Sequence, residues 1–327
     1  MILMQPTSVI FIKITIAFNM QLEILHDSIY TYAGQVETVR HLAHLKPRSN
    51  TNQNILQSNI QVEPSPDVYY ETQDIFGNNA SYFSIQERHP TLIIKSRSQV
   101  ETFADTASPF PSEKIPQWEE VREYFKYSTL QKWDSASEFL FNSTLIQYDA
   151  LYAEFAKKSF LPNRSILKSA IALMKQIYDE FEYKAESTNI NTPTLTAFHQ
   201  RTGVCQDFAH IFICCMRSLG LPAKYISGYL LTNPPPGKVR LIGADASHAW
   251  SSVYIPSYDL YNNLSAGVWC DFDPTNNRWG FGSPGEDYIY LAQGRDYADV
   301  SPIRGVIKGG ANHDLQVSVT VRPINTN

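Results

Sequence analysis

Hydrophobic positions along the chain change their period more than once. From Gln21 to about Thr102, short runs rich in Ile, Val, Tyr and Phe are broken by turn signals at Pro47-Arg48-Ser49-Asn50, Pro64-Ser65-Pro66-Asp67 and Phe76-Gly77-Asn78-Asn79. This pattern predicts an N-terminal antiparallel β domain over residues 20–104. Residues 105–116 carry Pro109, Pro111 and Pro116 among Ser and Thr, a composition that resists helix and central strand and marks a linker. Beyond it the period lengthens. Trp118, Val121 and Phe125, then Ile166, Ala170, Leu173, Ile177 and Phe181, recur at intervals of three and four, which predicts amphipathic helices.

A further helix is expected from near Val204 to about Leu219, where Gly220 and Pro222 supply the stop. Strands are expected at 224–232, 249–255 and 268–273, separated by the Pro234-Pro235-Pro236-Gly237 loop and the Asn262-Asn263 turn region. Near the end, Leu315, Val317, Val319 and Val321 alternate with Gln316, Ser318, Thr320 and Arg322, the signature of a half-buried strand. Helices preceding strands within residues 117–327 point to an α+β core, with a helical layer packed on an antiparallel sheet.

Residues 8–18 are apolar but hold Lys13 and fall short of the roughly 20 residues a membrane helix requires. No positive residue precedes the run and no small-x-small cleavage site follows it, so it makes a weak secretion signal. The strand pattern begins only after Met20, and residues 1–19 read as an extension ahead of the native start.

A length of 327 residues with 43% hydrophobic content is enough to bury real cores, which excludes disorder as the main state. The formal net charge of −5 leaves no basic surplus to neutralise phosphates or coat an anionic bilayer, so nucleic acid and membrane surfaces are not the expected partners. Four cysteines, Cys205, Cys214, Cys215 and Cys270, form neither a disulfide framework nor paired C-x-x-C spacing, and a reducing cytoplasm is the expected compartment. There is no H-E-x-x-H, dinucleotide fingerprint or phosphate loop, so no metal or cofactor is expected, and Gly282-Ser283-Pro284-Gly285 reads as a turn.

The candidate chemistry begins at Cys205. It falls on the first turn of its helix, where unpaired N–H groups and the macrodipole favour a thiolate over a thiol. A nucleophilic thiolate needs an imidazole to handle its proton and a third polar group to orient that imidazole. His248 opens an apolar strand and Asp273 closes another. If those strands pair as an antiparallel hairpin, both residues reach one edge, which can meet the N-terminus of the Cys205 helix. Each residue alone would more commonly be structural. His210 is a weaker candidate: five residues past Cys205, it is rotated by about 140° off the same helix face. Cys214 and Cys215 lie about 13–15 Å along the helix from Cys205, too far for a disulfide with it, and read as core. Cys270 reads as a small buried apolar residue.

These residues resemble the bacterial transglutaminase-like proteins, whose core belongs to the papain-like cysteine protease superfamily. The resemblance is carried by Gly203-Val-Cys-Gln-Asp-Phe-Ala-His210, Leu219-Gly-Leu-Pro-Ala223 leading to Ser227-Gly-Tyr229, Gly243-Ala-Asp-Ala-Ser-His-Ala-Trp250 and Asp271-Phe-Asp-Pro-Thr-Asn276. Gly294-Arg-Asp-Tyr297, Asp299-Val-Ser-Pro302, Gly309-Gly310, the His26 to Tyr32 strand and His41 to Arg48 extend it to roughly residues 20–322. The resemblance implies Cys205 as nucleophile, His248 as base and then acid, and Asp273 as the residue orienting the imidazole. It also implies a start close to Met20. The Cys205 backbone N–H is one candidate oxyanion donor.

The expected activity is acyl transfer on a protein or peptide amide through a thioester, with water or an amine as the final acceptor. Hydrolysis is slightly favoured, because indiscriminate cross-linking offers a cytoplasmic protein little. The rival reading is a binding or scaffold protein whose triad is vestigial.

Overall fold

The computed structural model describes residues 19–103, 109, 114–129, 133–185, 187–190, 192–232, 247–259 and 261–324. Most of residues 1–19, most of the proline-rich linker and the Pro234–Gly237 loop lie outside the described residues. The chain runs β1 (Asn19–Ala43), β2 (Gln53–Glu63), β3 (Val68–Gln73), β4 (Asn79–Ile85), β5 (His89–Phe103), α1 (Trp118–Tyr124), a 3₁₀ turn (Ser135–Leu140), α2 (Ala150–Ala156) and α3 (Ile166–Glu180). It continues through β6 (Glu182–Tyr183), α4 (Thr194–Gln200), β7 (Thr202–Gly203), α5 (Cys205–Ser218), β8 (Ala223–Leu230), β9 (Ser247–Tyr258) and β10 (Leu264–Asp273). β11 (Arg278–Phe281), β12 (Tyr288–Gly294), α6 (Tyr297–Val300), β13 (Ile303–Gly309) and β14 (His313–Pro323) complete it. The fold is mixed, as the change of period predicts, with an N-terminal antiparallel sheet ahead of a helix-on-sheet core.

In the core, β11-β10-β9-β8-β12 form a five-stranded sheet, antiparallel at every pairing. α5 lies between this sheet and the other helices, so it buries nearly its whole surface: Phe208 to Met216 are all 2% exposed or less. α3 shows the one-faced pattern instead, burying Ile166, Ala170, Leu173, Met174 and Ile177 beneath an N-cap in which Ser165 Oγ accepts from the Lys168 N–H. Gly220, at φ +78°, ends α5 in a conformation that glycine adopts without steric cost. Among the described residues no helix is long and apolar enough to cross a membrane.

The tail departs from expectation. Residues 117–327 read as one core from sequence, yet β13 and β14 return to pair antiparallel with β1 in the N-terminal sheet. The physical reason is the length of β1. One of its edges is taken by β5 and β4, and the other would present a row of open N–H and C=O groups without the returning strands. Period-two alternation specifies a strand but not its partner. Within β14, Val319 and Val321 are buried while Leu315 and Val317 remain about half exposed, so only the far end of the strand is covered.

The two sheets meet across an ordered contact. His26 Nδ1 lies 2.8 Å from the Tyr229 hydroxyl. The Gln53 side chain bonds both the N–H and the C=O of Tyr290, at 2.8 and 2.9 Å. Asn78 does the same for Gln293, at 2.8 and 2.7 Å. Val319 and Val321 join Leu22, Ile24 and Val100 with Tyr229 and Ile289 in one apolar cluster, so the C-terminal strand helps fasten the N-terminal domain to the core.

Candidate active site

Cys205 is the first residue of α5, a position whose N–H has no acceptor within the helix. The preceding turn is fixed by Asp207, whose Oδ2 accepts from the Val204 N–H at 2.8 Å and from Thr188 Oγ1 at 2.6 Å. Burial pushes the Asp207 carboxyl up, against these two hydrogen bonds. Gly203 leaves the space this cap needs, because a Cβ there would stand 2.8 Å from Asp207 Oδ2. β6 and β7 pair in parallel, placing Tyr183 opposite Gly203, two residues before the thiol. All four cysteines are free, and Cys205 alone among them is partly exposed.

β9 and β10 pair antiparallel, with Ser251 opposite Phe272 and Ser252 opposite Asp271. The register carries His248, at the start of one strand, to Asp273, at the end of the other. His248 Nε2 lies 2.7 Å from Asp273 Oδ2, in side chains 9% and 0% exposed. Burial pulls the His248 pKa down, but the hydrogen bonds and charges of Asp273 and Cys205 outweigh it and raise it to about 10. With Nε2 engaged by Asp273, Nδ1 is the ring nitrogen left for the Cys205 thiol. Burial pushes the Asp273 pKa upward, but the hydrogen bond and charge of His248, followed by the other donors on its oxygens, hold it below its ordinary range. Oδ1 accepts from the N–H groups of Thr275 and Asn276 at 2.8 and 3.3 Å. Oδ2 accepts also from Asn276 Nδ2 at 2.7 Å and the Tyr288 hydroxyl at 2.6 Å.

The structure therefore brings Cys205, His248 and Asp273 together. It leaves the other sequence candidates apart. His210 is buried against Tyr225, with ring centroids 4.9 Å apart, and its Nε2 accepts from the Tyr297 N–H at 3.2 Å. Burial lowers its pKa to about 4. Cys214, Cys215 and Cys270 are buried with thiol pKa values pushed up by desolvation, the condition of inert core cysteines. Among the described residues no group of three or more His, Cys, Asp and Glu could hold a metal ion.

Three residues around the site escape sequence reasoning. Asn276 follows Asp273 by three positions in the Asp-Pro-Thr-Asn turn, a spacing that could have suggested it. Tyr288 comes from β12, 15 residues on, with no local signal. Trp250 stacks on His248, ring centroids 6.1 Å apart at 30°, and donates Nε1–H to the buried Asp271 at 2.9 Å. Its neighbour position on β9 was visible, but its carboxylate partner was not.

Comparison with known proteins agrees with this architecture. Residues 22–101 match the bacterial transglutaminase-like N-terminal region, and residues 153–274 match the transglutaminase-like superfamily. An uncharacterized protein of Mycobacterium tuberculosis is 36% identical over 302 residues, 92% of this chain and 92% of that protein. An uncharacterized protein of Mycobacterium leprae is 29% identical over 306 residues, 92% of this chain and 98% of its own length. Among solved structures, a "putative cysteine protease" from Cytophaga hutchinsonii superposes with a TM-score of 0.69 at 23% identity, covering 95% of this chain and 94% of that one, a likeness of fold. The chain belongs to the transglutaminase-like superfamily and carries the N-terminal region of its bacterial members.

Proposed function

We propose that the protein is a thiol-dependent acyl-transfer enzyme acting on protein or peptide amides. The observation that carries the reading is the contact of His248 with both Asp273 and Cys205 at the N-terminus of α5. In the first half-reaction the Cys205 thiolate attacks the amide carbonyl carbon. The Sγ–C bond forms, the C–N bond breaks, and protonated His248 gives its proton to the leaving amine. The product is a thioester on Cys205 and a neutral imidazole. In the second half-reaction His248 takes a proton from water or an amine as it attacks, and the thiolate leaves. Asp273 keeps the imidazole oriented and stabilises its charged form. The Cys205 N–H is the oxyanion donor in this reading, since its position leaves it without an intrahelical acceptor.

Water as the final acceptor makes the enzyme a protease or amidase, and an amine makes it a transglutaminase; hydrolysis is the reading we favour. Four free thiols fit a reducing cytoplasmic setting. The test is incubation with a fluorescent amine and a glutamine-rich acceptor protein, beside Cys205→Ala, followed by mass spectrometry. Cys205-dependent fragments or deamidation support hydrolysis, and Cys205-dependent amine incorporation supports transfer. A wild-type protein no different from Cys205→Ala, with Cys205 alkylated no faster than the other cysteines, sinks both and favours a scaffold with a vestigial triad.

A further inference from the structure

A concavity lies where the N-terminal domain meets the five-stranded sheet, and none of Cys205, His248 and Asp273 lines it. Its volume is about 620 Å³, within the range of small-molecule sites. The loop at residues 48–52 closes one side, and Lys224, Trp269, Asp271, Phe281 and Tyr290 face it from the core. Its most telling occupant is Lys224, a lysine only 6% exposed. The ammonium donates to Gln293 Oε1 at 2.6 Å and sits 4.1 Å from the centre of the Trp269 ring. That acceptor is neutral and already takes a hydrogen bond from the Tyr290 hydroxyl at 2.6 Å. Asp271 acts on the lysine through space, but its Oδ2 accepts from the Trp250 Nε1–H.

A buried ammonium has three protons to place and a charge to balance. Here one proton goes to an amide and the Trp269 face takes part of the charge. Burial drags the Lys224 pKa down to about 7, the mark of a cation whose surroundings fall short of stabilising it. Nearby, Arg48 donates to the Phe76 carbonyl at 2.9 Å and lies 5.9 Å from the centre of the Tyr290 ring, which adds a second cation to the same wall. Gln293 is itself pinned, with Nε2 donating to the Phe76 carbonyl at 2.9 Å. The polar end of the cavity is thus preorganised across both domains.

We propose that this interdomain cavity binds a small carboxylate with an apolar body, the carboxylate pairing with Lys224 and the body lying against Trp269 and Phe281. A monoanion fits because Asp271 shares the floor and would oppose a second negative charge. The apolar walls account for the body: a bare inorganic anion would leave Trp269, Phe281 and Val268 uncovered. The inference is independent of the acyl-transfer reading, since no step of that reaction uses Lys224.

The test is calorimetric titration of the full chain with phenylacetate and with its neutral amide, phenylacetamide, repeated with hexanoate and hexanamide. The expected result is that at least one acid binds tenfold or more tightly than its amide, that Lys224→Met or Lys224→Gln removes the preference, and that alkylation of Cys205 leaves it in place. Equal binding of acid and amide, unchanged binding in folded Lys224 variants, loss of binding on Cys205 alkylation, or no binding by any of the four probes would overturn it. The acid-to-amide ratio is read on the unmodified protein, so the proposal stays exposed to refutation even if the Lys224 variants fail to fold.

Discussion

The hydroxyl of Tyr288 donates at 2.6 Å to the same Asp273 oxygen that His248 approaches at 2.7 Å. One carboxylate oxygen thus binds a ring that must carry a proton and a phenol that fixes the carboxylate in place. Because Asp273 is fully buried, the donors around it keep it ionised beside His248. Tyr288→Phe removes one of five and should lower kcat about 3- to 10-fold with little change in KM, the loss of roughly 1 kcal/mol. Asn276→Ala removes a side-chain donor on the same oxygen and should do at least as much. A double-mutant cycle in kcat/KM tests whether the two act through Asp273: the effects should be non-additive, and simple additivity would count against it.

Asp273→Asn changes the charge rather than the packing. In the wild type His248 is raised to about 10, so acyl transfer to amides should keep its imidazolium acid up to an alkaline limb near that pH. Asparagine removes the carboxylate, so the limb should move toward the ordinary histidine value of about 6.5, with kcat/KM falling roughly 10²- to 10⁴-fold. Stability carries the same sign. A raised histidine pKa gives stabilisation fully present below about pH 6.5 and lost as pH rises through the folded value, about 10. A depressed aspartate gives stabilisation present above its ordinary value and lost as pH falls through the lowered one. The Tm gap between wild type and Asp273→Asn should therefore be widest near about pH 6 and narrow beyond about pH 10. A gap that does not vary with pH would contradict the pairing.

Much of this site was legible because its determinants are local. Cys205 declares itself by Gly203 and the helix start, and His248 and Asp273 by their places at strand ends, since a hairpin register follows from period-two patterning. The donors to Asp273 were less visible. Tyr288 reaches it only because β12 joins the sheet beside β8, with β8 and β9 between it and β10, and no pattern in β12 encodes that order. The destination of the tail was hidden for the same reason. Val319 and Val321 show an apolar face, but nothing in them distinguishes β1 from the core sheet as the surface to cover.

Trp250 offers a test of the layer behind the histidine. Its Nε1–H is a hydrogen bond to Asp271, a carboxylate 2% exposed. Trp250→Phe keeps an aromatic ring against His248 but leaves that carboxylate short of a donor, at a cost of about 1–3 kcal/mol. Urea unfolding should show a lower midpoint. Trp250→Phe combined with Asp271→Asn should recover part of the loss, because a neutral amide is cheaper to leave underbonded than a charge. Because Asp271 also acts on the buried Lys224, Asp271→Asn alone is the reference for that double variant, and no recovery against it would mean that the indole acts by packing alone.

At the start of α5, Asp207→Ala removes the acceptor for Val204 N–H and Thr188 Oγ1. Loss of a helix-terminal acceptor of this kind costs about 0.5–2 kcal/mol. The same change removes a negative charge near the thiol, so alkylation of Cys205 should not slow and the damage should fall on stability. Slower alkylation at equal stability would show instead that Asp207 positions the thiol. Gly203→Ala approaches the same group from the other side, since its Cβ must displace Asp207, and should be destabilising as well.

The C-terminal strands give the most severe prediction for the fold. Val319 and Val321 are almost fully buried in the cluster that holds β1 against Tyr229 and Ile289 of the core. Burying each valine is worth about 1.5–3 kcal/mol, before the loss of the β14 hydrogen bonds to β1 is considered. Deleting residues 303–327 should expose the edge of β1 over most of its length and loosen the junction of the domains. Such a chain should unfold at lower urea, with a first transition in which the N-terminal sheet is lost, and should associate through the uncovered strand edge. Val319→Ala with Val321→Ala isolates the packing share, since the backbone pairing survives, and should lower stability without association. A truncated chain that stays monomeric and keeps the wild-type midpoint would show that the returning strands only decorate a sheet that stands without them.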